Sequence, residues 1–232
     1  GSYNLGTPTS ISMALSSQIT GSGTITLGGN VTFTGSGAAT TIAPNIALGN
    51  NRTFTVADGS DWDDVVLSGV ISGAFSITKE GAGRMRLNNA NTYTGATTIN
   101  AGILYAANSS ALGTTAAGTT VTNGQRLMLG QTISIGAEAL SLTGTGGGTY
   151  GALDNVSNTN TYGGIITLQG ATTIGARSGS TLNLTNTITA TDQNLTLYSE
   201  GTMSVSGAIT TGSGTLTKTG GGIVTISGNN TY

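Results

Sequence analysis

A chain of 232 residues that writes much of itself twice has few folds open to it. From Ile71 to Leu104 it reads ISGAFSITKEGAGRMRLNNANTYTGATTINAGIL, and this text returns near its end. Lys79, Gly81, Gly83, Leu87, Asn91, Thr92 and Tyr93 correspond to Lys218, Gly220, Gly222, Ile226, Asn230, Thr231 and Tyr232 at a constant offset of 139. Upstream, the segment from Ile25 to Phe33 matches that from Ile166 to Ile174, and Phe54-Thr-Val56 matches Leu195-Thr-Leu197, both at an offset of 141. A unit of roughly 140 residues is therefore present nearly twice, about 24–93 continued by 94–164 and then 165–232. A shorter echo, Asn-Thr-Tyr, begins at Asn91, Asn160 and Asn230.

Inside the repeat the apolar residues recur at spacing two, as in Phe75 and Ile77, then Met85 and Leu87, which is the period of a strand with one buried face. Gly81-Ala-Gly83 and the Asn88 to Asn91 run between them are turn chemistry, because Gly takes positive φ freely and Asn tolerates the left-handed region. The same alternation runs from Thr24 to Ile226, while residues 3–20, with Pro8 and the Ile11 to Leu15 run, are the least periodic. No segment carries the i, i+3, i+4 stripe of a helix.

Glycine fills 39 positions and only 7% of residues are charged, a balance that could signal disorder were β-branched residues not so plentiful. The chain is all-β. Short strands of even spacing could build a sandwich or a barrel, but neither needs to copy its own sequence at long interval, whereas a solenoid is made by copying. The expectation is a single parallel β-solenoid over 1–232, a right-handed β-helix. At roughly 20 to 25 residues per coil it has about ten coils, and at about 4.8 Å per coil it forms a rod on the order of 50 Å long. Its interior is expected to be narrow, apolar and free of charge.

Composition also limits function. With no Cys there is no disulfide or thiolate metal site, and with no His the commonest general base is missing too. The seven basic residues are scattered, which argues against a nucleic-acid surface, and no apolar run approaches the roughly 20 residues of a membrane span.

At residues 81–113, GAGRMRLNNANTYTGATTINAGILYAANSSALG, the sequence resembles the autotransporter-associated β-strand repeat of large bacterial passenger domains, and the resemblance extends over roughly residues 24–232. It implies the right-handed parallel β-helix and a protein secreted to, or displayed on, the surface of a Gram-negative-type bacterium. The family pattern would continue beyond Tyr232, and no polar capping repeat is written there. The expectation is continuation within a longer chain, or end-to-end association of copies.

Candidate sites are few. Asp58, Asp61, Asp63 and Asp64 form the only dense acidic group, and Asp61 and Asp63 on one extended segment would share a face that could hold Ca2+ through oxygen ligands. No other cofactor is indicated. Trp62, the sole tryptophan, sits among them, and with Arg84 and Arg86 it is the candidate for a glycan or a host or neighbouring-cell surface. Asn91, Tyr93, Asn160, Tyr162, Asn230 and Tyr232 read as architecture: tyrosines at equivalent solenoid positions, with the Asn residues stacking as a ladder between coils. The reading is a non-enzymatic structural segment, a stalk or self-associating fibre presenting adhesive regions. A polysaccharide-binding or polysaccharide-degrading β-helix is the alternative, and an ice-binding solenoid, from pairs such as Thr24/Thr26 and Thr53/Thr55, is the minor one.

Overall fold

The computed structural model describes residues 2–4 and 10–232, and Pro8 lies outside them. Among the described residues there is no helix, and every strand ladder is parallel. Parallel pairing follows from the repeat: strands that recur along the chain in the same sense and stack on one another must run the same way. The chain divides into two compact units, Gly1–Ala117 and Gly118–Tyr232, and together they hold about ten solenoid coils.

In the first unit Thr24–Leu27 pairs with Asn45–Leu48, 21 residues on, and Arg52–Val56 with Ile77–Glu80, 25 residues on. Arg84–Leu87 pairs with Ile103–Ala106, only 19 on. Coil length thus varies at the corners while the register of the strands holds. Alternation then places the same parity of every strand inside: Val31 stacks on Phe54, and Ile25 on Ile46 and Ile46 on Ile71, all nearly inaccessible to water. Burying such side chains is worth about 1.5 to 3 kcal/mol each. Within the stretch read as least periodic, Ile11–Ala14 is already solenoid, since it pairs with Val31–Thr34.

The second unit repeats the scheme. Leu153 stacks on Ile174 and Ile174 on Leu197; Leu182 stacks on Met203. Its longest strand, Ile166–Ala176, runs through what the first unit builds as two strands, Thr24–Leu27 and Val31–Thr34.

Two expectations need correction. Phe75 lies in a turn before Ile77–Glu80 and is only half-buried, because Gly73, at φ 122°, bends the chain beside it. The interior is also not free of charge. Lys79 occupies an inward position between Phe54 and Ile99 and is fully buried, while Glu138 and Asp154 are buried in the second unit. Each has a device for it. The Lys79 ammonium donates to the carbonyls of Glu80, Gly81 and Ala101 at 2.7 to 3.0 Å. That turn needs glycine, since Gly81 has φ 78° and a Cβ there would strike the Val56 carbonyl.

Candidate functional site

The longer coil that begins at Arg52 spends its extra residues on a loop, 57–64, between the strands Arg52–Val56 and Val65–Leu67. Asp64 anchors it. Only 2% exposed, its Oδ1 accepts the Gly59 N–H and its Oδ2 the Arg84 N–H, both at 2.6 Å. Asp61 accepts the Ala39 N–H at 2.9 Å, and Asp63 pairs with Arg86 at 3.2 Å. The segment is not extended, so Asp61 and Asp63 do not line one face; each carboxylate turns to its own partner. Among the described residues no group of three or more His, Cys, Asp or Glu is arranged to hold a metal ion.

Trp62 is held in the open. It is 56% exposed, and the Arg84 guanidinium lies 3.9 Å over its ring. Arg86 lies 5.0 Å over the ring of Tyr105. Arg84 and Arg86 therefore share a face of the strand Arg84–Leu87, as alternation around Met85 requires, and both are half-buried against aromatic rings. Beside the indole is a cleft of about 160 Å³ lined by Asp58, Asp61, Trp62, Asp64, Ala82, Arg84 and Ile103. It offers an aromatic surface and acidic oxygens, and Asp58 and Asp61 are exposed at it.

The Asn-Thr-Tyr sites are structural. In each, the Asn Oδ1 accepts a backbone N–H from an earlier coil: Asn91 from Ile71 at 2.8 Å, Asn160 from Ile133 at 2.7 Å, Asn230 from Ile209 at 2.8 Å. The Asn residues do not form the expected ladder on one another; they tie backbone to backbone, and Asn45 and Asn51 do likewise for Val70 and Ser76. Tyr93 and Tyr162 are fully buried, whereas Tyr232 is 56% exposed.

Three charged sites were not singled out from the sequence. Burial lowers the Lys79 ammonium to about 7, with the charges of Asp64 and Glu80 pulling it back upward. Its alternation with Ile77, and its repeat at Lys218, carried the signal. Burial pushes the Glu138 carboxyl up, opposed by a hydrogen bond from the Thr119 hydroxyl. Asp154 sits between Arg126 at 3.3 Å and Arg177 at 2.6 Å, and Arg177 lies 4.4 Å over the Tyr150 ring. No local pattern marks Asp154, because its burial comes from residues remote in sequence.

Comparison with known proteins places these repeats. The family described as Passenger-associated-transport-repeat matches residues 77–106 and 216–232, the two copies of the text around Lys79 and Lys218. This chain carries autotransporter passenger repeats. The chain is also similar to the adhesin BmaC autotransporter of Brucella suis biovar 1 (strain 1330), with 32% identity over 163 residues. That alignment covers 69% of this chain and 4% of the adhesin. No solved structure matches.

Proposed function

We propose that this chain is a non-enzymatic structural section of an autotransporter passenger, secreted to or displayed on the surface of a Gram-negative bacterium, where it supports adhesive regions of a longer protein. The observation that carries this reading is the register of the inward columns. Apolar side chains stack coil on coil, and the most regular motif of the repeat, Asn-Thr-Tyr, is spent on locking one coil to another. An adhesin among its relatives and passenger repeats in its sequence support the setting.

Incubation with pectin, alginate and sulfated glycans tests it. The scaffold reading expects no turnover; cleavage abolished by Asp61→Ala or Asp63→Ala would replace it with an enzymatic one. Negative-stain microscopy of the purified chain tests self-association. Long uniform filaments would make assembly central to the role, and dispersed particles would remove it.

A further inference from the structure

We propose that Lys79 is a register pin: its buried ammonium lets the next coil settle only where the carbonyl of Ala101 meets it. This goes beyond the scaffold reading and rests on the stacking of the coils alone. A chain that copies itself offers its strands many near-equivalent partners, and some feature must choose among them. Apolar burial settles only the parity. Ile77 and Lys79 face inward opposite Thr97 and Ile99, and a slip of two residues would keep every inward side chain inward.

Lys79 tells these slips apart. It stands fully buried in the column between Phe54 and Ile99, and its ammonium donates to the Glu80 and Gly81 carbonyls of its own turn. The third acceptor, Ala101 at 3.0 Å, is 22 residues on and belongs to the coil that lands over it. A two-residue slip would carry that carbonyl about 6.6 Å along the strand, out of hydrogen-bond reach. The ammonium would then sit in an apolar column short of an acceptor, a heavily penalised state. A methionine would fill the same space without that demand, so the charge serves the choice of register more than the packing. The second copy of the text writes the device again: Lys218 donates to the Gly220 carbonyl as Lys79 does to Gly81.

The chain has no cysteine, so an engineered disulfide reports register without background. Thr78 and Thr98 are direct partners on adjacent strands, about 4.8 Å apart and within disulfide reach. Ala96 and Asn100, two residues to either side of Thr98, come within reach of Thr78 only if the strand has slipped. The intact chain, refolded from urea and oxidised near pH 6.5, is expected to cross-link as Thr78→Cys/Thr98→Cys and not as Thr78→Cys/Ala96→Cys or Thr78→Cys/Asn100→Cys. Adding Lys79→Met is expected to raise at least one slipped pair about tenfold or more, with the far-UV circular dichroism unchanged. Lys79→Leu removes the charge independently and should give the same pattern. Slipped pairs as frequent with Lys79 as without it would overturn the proposal. So would their absence in both variants, which would assign the register to Gly102, where a Cβ would strike the Gly81 carbonyl. Loss of the fold in both variants would overturn it too, since the lysine would then be needed for the coil itself.

Discussion

The Asn-Thr-Tyr corners of the two units are built from the same residues and finished differently. In the first unit Asn91 accepts the Ile71 N–H and donates to the Ala111 carbonyl, and the Tyr93 hydroxyl bonds the Thr97 hydroxyl at 2.6 Å. In the second, Asn160 is engaged as fully, reaching Ile133, Asn155 and Ser157, but the Tyr162 hydroxyl is buried with no hydrogen-bond partner among the described residues. Burial raises that phenol well above its ordinary range, and the nearby Glu138 charge adds to the effect. The asparagine is thus the constant of the corner. The tyrosine supplies volume, and its hydroxyl is satisfied only where Thr97 stands opposite.

The largest way to sharpen the contrast is pH, through the buried charge each unit carries. Lys79 has a lowered pKa when folded, so the unfolded chain binds more protons between about 7 and 10.5, and stability should rise with pH across that window. The gain is on the order of 5 kcal/mol. Hydrogen exchange in the first unit should record it, and Lys79→Met should flatten it. Glu138 has the opposite sign. Its raised pKa means stability of the second unit is full below the ordinary carboxylate value and is lost as pH rises through the folded one. A rise in both units would break the comparison.

Next in size, Asn160→Ala strands the Ile133 N–H and the groups on Asn155 and Ser157, and should cost about 3 kcal/mol by urea denaturation. Asn91→Ala strands two groups, Ile71 N–H and Ala111 C=O, and should cost about 2 kcal/mol. Removing hydroxyls separates the corners by sign. Tyr93→Phe should destabilise by about 1 kcal/mol, since the Thr97 hydroxyl loses its partner, while Tyr162→Phe should be neutral or stabilising by up to about 1 kcal/mol. A loss at both positions would show that the second hydroxyl contributes after all.

The inward columns were legible because alternation in a strand leaves no choice of side: once Met85 and Leu87 face in, Arg84 and Arg86 face out. The repeat then told that these strands stack rather than form a sandwich. Lys79 was legible by the same parity and was passed over because a charge reads as exposed, although three carbonyls suffice to hold it. Asp61 and Asp63 misled for a related reason. Alternation puts them on one face only if the backbone is extended, and between Ala57 and Asp64 it is a loop pinned by the Asp64 carboxylate. Asp154 was beyond reach, since its two arginine partners lie 28 residues before it and 23 after it.

Coils of 19 and 25 residues stack in register within one unit because all the difference is taken up at a corner. A lineage can therefore lengthen one corner, dress it with an indole and acids, and leave every interior layer as it was. New recognition surfaces can be tried on such a chain without putting its stability at stake, one loop at a time.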